Sequence, residues 1–419
     1  MNILIKSATI IDPKSEFHNS TQDILIENGK ILKISKNIKN TNNYQEVKLD
    51  NLHISQGWFD SSVCFGEPGF EERETIKNGL KVAASSGFTT IALNPNTNPI
   101  LDTNSDITFV TAKSNNNAVT VLPIGALTIG SNGVDLAELY DMSTAGAVAF
   151  YDYKKPISNP NLMKIALQYA ANFDGLVCSF PQENKIVGNG VMNENVTSTT
   201  LGLKGIPALA EELQVARDIF LLEYTGGKLH IPTISTAKSV ELIREAKKKK
   251  LDITCSVAIH NLCLSDGSLT SFDSNFKVLP PLRTQEDIEA LIAGVKDGTI
   301  DMVTTDHSPI DIEEKKVEFD RAEYGTIGLE TAFGALQTVF TLKKTIDLLT
   351  KGKQRFGLEP TSITIGNKAN LSLFNPDEKY TFDTKGIKSK SKNSIFKGAS
   401  LKGKVYGIIS NNQVSLNTL

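Results

Sequence analysis

The sequence predicts an α/β protein: a central region of parallel strands covered by helices, and a small β domain assembled from both chain ends. Three observations carry this. Amphipathic helical stretches alternate with short apolar strands between residues 54 and 365. β-type segments lie before and after that region. The length, 419 residues, suits one large domain with an appendage.

Residues 1–53 open the pattern. MNILIKSATII and DILIENGKILKISKNI are β-rich runs, the second a hairpin turning at Glu27-Asn28-Gly29. From residue 54 helices feed strands. ERETIKNGLKVAASSG leads into FTTIALNPN, NPNLMKIALQYAANFD into GLVCSF, and PALAEELQVARDIFLLEYTGG into KLHIPTIS. TAKSVELIREAKKKK feeds LDITCSVAI, and TQEDIEALIAGVKDGT feeds IDMVTTDHSP. Repeats of this kind build a parallel sheet with helices on it, open or closed into a barrel. The loop 311–323 (DIEEKKVEFDRAE) reads as an exposed, mobile lid. Beyond about residue 365, ANLSLFNPD and SLKGKVYGIISNNQ are β-type again. The expected domains are therefore a composite of 1–53 with 366–419, and a central domain over 54–365.

Bulk properties exclude several functions. With 40% hydrophobic residues, 22% charged residues and a net charge of −3, nothing resembles a nucleic-acid footprint. The lysine runs at 247–250 and 385–392 read as solvated helix ends and loops. No run reaches the ~18 apolar residues of a membrane span, and the N-terminus lacks a signal-peptide core. Four scattered cysteines without a Cys-x-x-Cys pair suit reduced thiols in a cytoplasmic protein.

The stretch GWFDSSVCFGEPG, residues 57–69, has the form of a strand end opening on a metal site. Strand side chains alternate, so Ser62 and Cys64 share a face. A metal-dependent hydrolase would place a His-x-His pair there.

This chain resembles the dihydroorotases of the amidohydrolase superfamily from end to end. GWFDSSVCFGEPG is similar to that family's opening Pro-Gly-x-x-Asp-x-His-x-His-x-Arg-x-Pro-Gly, and NPNTNPILD to its Met-Pro-Asn-Thr-x-Pro. GNGVMNEN, LGLKGIPALAEELQVARDI, LHIPTISTAKSVELIREAK and FKVLPPLR fit as well. So do GTIDMVTTDHSPI, EYGTIGLETAFGAL and SIFKGASLKGKVYG. The resemblance implies a (β/α)8 TIM barrel of the metal-dependent hydrolase type over 54–365, its active site at the C-terminal strand ends. It also implies two zinc ions that activate a bridging hydroxide and polarise a ring carbonyl.

The ligands implied by the resemblance are missing. Its histidines fall on Ser62, Cys64, Phe180 and Thr233, and its Asp-Asp-Gly reads Asp152-Tyr153-Lys154. Only Asp306 keeps a catalytic position, that of the proton-shuttling acid/base. The substrate-clamping arginine becomes Gly66, the asparagine before Pro-Pro-Leu-Arg becomes Leu279, and the histidine after the family's Ala-Pro becomes Ile310. Asn96, Tyr324 and Gly325 keep substrate-binding positions. Asp152, Asp306 and Cys64 together would offer at most one ion a place. None of the five histidines (His18, His53, His230, His260, His307) falls on a ligand position.

The expectation is a metal-free, catalytically inactive homologue with Phe180 and Leu279 filling the vacated space. It would act as a homodimeric scaffold for aspartate carbamoyltransferase or for an active dihydroorotase paralogue. The alternative is an active dihydroorotase or other cyclic-amide hydrolase with a mononuclear or metal-free site.

Overall fold

The computed structural model describes residues 1–269 and 271–417. Eight parallel strands form one sheet whose order follows the chain. They are β1 (Trp58–Val63), β2 (Phe88–Leu93), β3 (Thr120–Gly125), β4 (Ala149–Phe150), β5 (Leu176–Cys178), β6 (Lys228–Ile231), β7 (Ile253–Ala258) and β8 (Met302–Thr304). The ladder runs unbroken from β1 to β8, and the seam between these two is drawn together by side chains. Asp60 accepts from the Thr304 hydroxyl at 2.5 Å and from the Thr305 amide at 3.1 Å, while Val63 and His307 form an isolated parallel bridge. The result is a nearly closed barrel.

The covering helices begin where the sequence supplies caps. Thr75 and Thr236 accept from backbone amides three residues on, and Asn159 from amides two and three residues on. Thr284 and Asp287 form a reciprocal capping box. The apolar faces of these helices meet the outside of the barrel in one continuous core that includes Leu80, Leu167, Val240 and Leu291. A separate cluster fills the barrel interior: Phe59, Tyr151, Cys178, Phe180, Leu279, Met302 and Phe356 are among its members. Barrels of eight strands are packed with side chains rather than hollow, as here.

The second sheet joins both ends of the chain. Ile3–Ile11, Thr21–Glu27 and Lys30–Ser35 pair antiparallel in succession, and Leu371–Thr381, Ser400–Ser410 and Gln413–Leu416 complete the sheet. The link between the two ends is His53–Gln56, which pairs with Ile3–Ile11 on one side and Leu371–Thr381 on the other. The predicted turn is present: Glu27 faces Lys30, with Asn28 (φ 50°) and Gly29 (φ 74°) both left-handed, as a tight hairpin requires.

The loop 311–323 is mostly exposed, as expected, but three of its side chains anchor it. Lys315, Phe319 and Ala322 are buried. The Lys315 ammonium donates to the carbonyls of Ser274, Lys277 and Glu323, and Arg73 holds Glu314 at 2.6 Å. A charged side chain buries here because three backbone carbonyls replace its water.

Candidate active site at the C-terminal strand ends

Asp306, immediately after β8, is the centre of the site. It is buried and left-handed, with φ 50°. Its Oδ2 accepts from Lys154 Nζ at 2.7 Å. Its Oδ1 accepts from Ser62 Oγ and from the Tyr153 hydroxyl, each at 3.3 Å. Lys154 follows β4 and is itself left-handed, φ 53°, a conformation that favours the glycine found there in the motif Asp-Asp-Gly. Its ammonium also lies 5.2 Å from the centre of the Tyr153 ring.

The neighbouring groups hold one another. Asn94 Nδ2 donates to Ser62 Oγ at 3.0 Å and lies 3.6 Å from Cys64 Sγ. Burial pushes the Cys64 thiol up to about 12, so it is protonated here. Phe180 and Leu279 are both buried in the barrel interior cluster.

Asp152 is turned away. Its Oδ1 accepts from the amides of Leu127 and Thr128, each at 2.9 Å, and its Oδ2 from the Thr128 hydroxyl. The idea that Asp152, Asp306 and Cys64 share an ion is therefore corrected. Asp152 ties the end of β4 to the loop after β3, and Asp306 faces a lysine. Among the described residues, no group of three or more His, Cys, Asp or Glu side chains is placed to hold a metal. A tethered cation, an engaged carboxylate and a phenyl ring do not fit zinc.

The retained pocket residues each have contacts of their own. Asn96 is half-buried after β2 and its buried Oδ1 has no partner. The Tyr324 hydroxyl donates to the Gly190 carbonyl at 3.2 Å, and Lys277 lies 4.7 Å over its ring. Gly325 donates its amide to the Lys277 carbonyl at 3.0 Å with φ 150°, where an added Cβ would meet Ser308 Oγ at 2.9 Å. Gly66 cannot be a simple truncation of an arginine: a Cβ there would lie 1.7 Å from the Phe70 carbonyl oxygen. Ile310 is buried, its amide bonded to Asn393 Oδ1.

The histidines behave as structural groups, although His260 and His307 each keep a buried Nε2 without a partner. His230 Nδ1 pairs with Thr254 Oγ1 at 3.0 Å, and His307 Nδ1 accepts from the Gly328 amide at 3.2 Å. His18 accepts from the Asp12 amide, and His53 lies 2.9 Å from the Asn51 carbonyl. His260, just beyond β7, is buried with an unpartnered Nε2. Burial, and then the charge on Lys154, pushes it down to about 3, so its ring is neutral. Sequence reasoning missed His260, Asn94 and the use of Tyr153 and Lys154. A lysine standing where the motif has glycine was the available signal.

A cavity of about 270 Å³ opens beside Lys154 and Asp152, lined also by Ser131, Gly133 and Asn184. A larger one, about 930 Å³, lies at the opposite end of the barrel, among Gln56, Asp252, Asp301 and Arg355. Its charges largely answer one another, as Arg355 with Asp252 and Lys247 with Asp301. It is remote from Asp306.

A family model described as "Dihydro-orotase-like" matches residues 53–239. A protein named Dihydroorotase from Thermoanaerobacter sp. (strain X514) is 42% identical over 412 residues, covering 97% of this chain and 95% of that protein. Another, from Pelotomaculum thermopropionicum, is 42% identical over 410 residues, covering 96% of each. Among solved structures, an L-hydantoinase (dihydropyrimidinase) from Arthrobacter aurescens superposes with a TM-score of 0.84 at 20% identity, covering 99% of this chain and 95% of that one. A dihydropyrimidinase from Brevibacillus agri NCHU1002 gives 0.81 at 19%, covering 100% and 99%. At such identities the structural likeness speaks for the fold.

Proposed function

The chain belongs to the dihydroorotase family, and from that premise we propose that it is a non-catalytic member, acting through its surface in pyrimidine biosynthesis. One observation carries the reading: the ammonium of Lys154 sits against the carboxylate that would exchange protons with the reacting water. A metal-bound water has its pKa lowered from 15.7 to about 7, which supplies the nucleophile in a hydrolase of this kind. A carboxylate acting alone as a general base contributes on the order of 10²–10⁴, and Asp306 already accepts from Lys154, Tyr153 and Ser62.

The role that remains is that of a folded partner. Burial is continuous in the barrel and its helices, so the scaffold is complete without its chemistry. The partner we propose is aspartate carbamoyltransferase, or an active dihydroorotase paralogue, on an oligomer of this chain. A metal-free or one-metal cyclic-amide hydrolase is the competing reading, favoured by the unpartnered buried atoms Asn96 Oδ1, Thr233 Oγ1 and His260 Nε2. Among the described residues no helix is long and apolar enough to cross a membrane.

Two measurements test the proposal. Protein purified without chelator and dialysed should carry well under one equivalent of zinc and should turn over neither dihydroorotate nor carbamoyl aspartate. Zinc-dependent turnover by the unmodified chain defeats it. Co-expression with the carbamoyltransferase of the same organism, followed by size exclusion with light scattering, should give a shared high-mass peak. Independent elution at micromolar concentration, with carbamoyltransferase activity unchanged, removes the scaffold role.

A further inference from the structure

The stretch TLKKTIDLLTKGKQR, residues 341–355, carries five basic side chains. Its helix, Leu342–Thr350, ends just before Gly352, whose left-handed φ of 85° turns the chain so that Lys353 points inward. The Lys353 ammonium donates to the carbonyl of Gly57, the residue before β1. At 6% exposure Lys353 is as buried as Lys315, at 5%. The two differ in what accepts their protons. Lys315 has three carbonyls. Lys353 has one acceptor among the described residues. An ammonium carries three N–H bonds, and leaving two of them unspent in a protein interior is costly. Burial accordingly pushes Lys353 down to about 8.

Lys353 lines the cavity of about 930 Å³ at the end of the barrel remote from Asp306. Ligand cavities run to about 300–1,000 Å³ and favour domain junctions. This one lies at such a junction, with Asp12, Lys14 and Gln56 from the side of the second sheet and Thr254 and Met302 from the barrel. Seven basic side chains line it against four acidic ones. Arg355 pairs with Asp252, Lys228 with Asp174 outside the lining, and Lys344 and Lys351 share Asp347. Lys14, Lys343 and Lys353 have no ion-pair partner among the described residues. The two remaining acids are spent on the protein itself. Asp12 accepts from the amides of Lys14 and Ile363 and from Gln56 Nε2, and Asp301 from Lys247 and the Cys255 amide.

We infer that this cavity binds a small organic molecule through a di- or triphosphate group. Lys353 meets the phosphates inside, and Lys14 and Lys343, both exposed, meet them at the rim. Three unanswered charges call for a multiply charged anion. Arginine grips a planar carboxylate with two parallel bonds, whereas lysine is a point charge that suits phosphate. The arginine of this cavity is already bound to Asp252, so lysines are what remain to it. The buried Ile11, Met302 and Ile346 supply an apolar wall for the organic part. Chemistry in barrels of this kind sits at the C-terminal strand ends, so a ligand at this end is held and not turned over. By touching Lys14 on one domain and Lys353 on the other, it bridges the two.

The inference does not depend on whether the site around Asp306 is catalytic, and the metal and turnover assays read that separately. The test is calorimetric titration of the full chain at neutral pH and low salt, without divalent metal, using pyrophosphate, ADP and citrate as probes. Pyrophosphate and ADP should each fill one site per chain, and citrate should bind at least about tenfold more weakly. Lys353→Met should weaken pyrophosphate binding by about tenfold or more. The double variant Lys14→Ala/Lys343→Ala, which alters exposed side chains, should weaken it by roughly tenfold. Lys249→Ala/Lys250→Ala, in the lysine run at 247–250, should leave it unchanged. Thermal melting checks that Lys353→Met is folded, and the rim pair decides the matter if it is not. No binding at millimolar pyrophosphate or ADP overturns the proposal. So does pyrophosphate binding that a folded Lys353→Met or the rim pair leaves intact, that the pair at 249 and 250 weakens as much, or that citrate matches.

Discussion

Lys154 Nζ and Asp306 Oδ2 are 2.7 Å apart, and this ion pair joins the end of the fourth barrel strand to the end of the eighth. Both side chains are buried, at 10% and 2% exposure. The resemblance to dihydroorotases implies metal cations at this end of the barrel. Here the cation is covalently part of the chain. It can offset the Asp306 charge, but it has no open coordination position at which water could be activated.

Removing the cation should therefore be costly. Lys154→Met leaves Asp306 buried with only hydroxyl donors from Ser62 and Tyr153. Breaking one side of a buried pair costs about 3–5 kcal/mol. Urea unfolding should show a loss of that order, and the double variant Lys154→Met/Asp306→Asn should lose markedly less than Lys154→Met. Equal losses in the two would mean the pair is not coupled.

The same lysine should keep zinc out even when ligands are supplied. A unit charge about 4 Å from another repels it by roughly 4 kcal/mol at an effective dielectric constant near 20, and a dication feels twice that. The quadruple variant Ser62→His/Cys64→His/Phe180→His/Thr233→His should bind zinc weakly. Adding Lys154→Gly, which suits the left-handed backbone at 154, should raise the affinity at least tenfold in a chelator competition. Equal affinity with and without Lys154 would remove it as the excluding group.

Acid should destabilise the fold through its buried imidazoles. Burial pushes His230, His260 and His307 each down to about 3, whereas an unfolded imidazole titrates near 6.5. Between those values the unfolded chain binds more protons, so stability present above 6.5 is lost as the pH falls toward 3. Asp60, pushed up to about 6 by burial, acts oppositely between about 4 and 6 and flattens the slope there. His307→Asn keeps an acceptor for the Gly328 amide without a titrating ring. It should reduce the decline in urea midpoint between pH 7 and 5, and an unchanged decline would exonerate His307.

Much of this architecture is legible in the sequence because its signals are local. The helix Ala237–Lys248 announces itself by apolar spacing and a threonine cap, and the Asn28-Gly29 hairpin by residues that tolerate positive φ. Two barrel strands were not read as units. Ala149–Phe150 is only two residues long, and Thr120–Gly125 contains a proline. At the site, the loss of histidines was plain, but what replaced them was not. That Asp152 would turn to Thr128 and that Lys154 would reach Asp306 depend on side chains meeting across a barrel, 152 residues apart in the second case. Sequence spacing carries no information on such a meeting.

The arginine clamp should be irrecoverable by single reversion. Gly66 lies in a tight segment: its amide donates to the Glu74 carbonyl and its carbonyl accepts from the Phe70 amide, each at 2.8 Å. A Cβ would lie 1.7 Å from the Phe70 oxygen and 2.6 Å from the Phe70 carbonyl carbon, which are backbone atoms and cannot rotate aside. Any side chain at 66 must displace residues 66–74. That segment holds Glu74, whose carboxylate accepts from Ser389 and Lys390 and so ties it to the C-terminal part of the chain. Gly66→Ala alone should therefore destabilise the protein by several kcal/mol, in the range reserved for overpacked or strained sites. Gly66→Arg should cost at least as much and confer no affinity for carbamoyl aspartate by calorimetry. A Gly66→Ala variant with wild-type unfolding midpoint would show that the loop relaxes freely, and the route back to a clamped substrate would then be open.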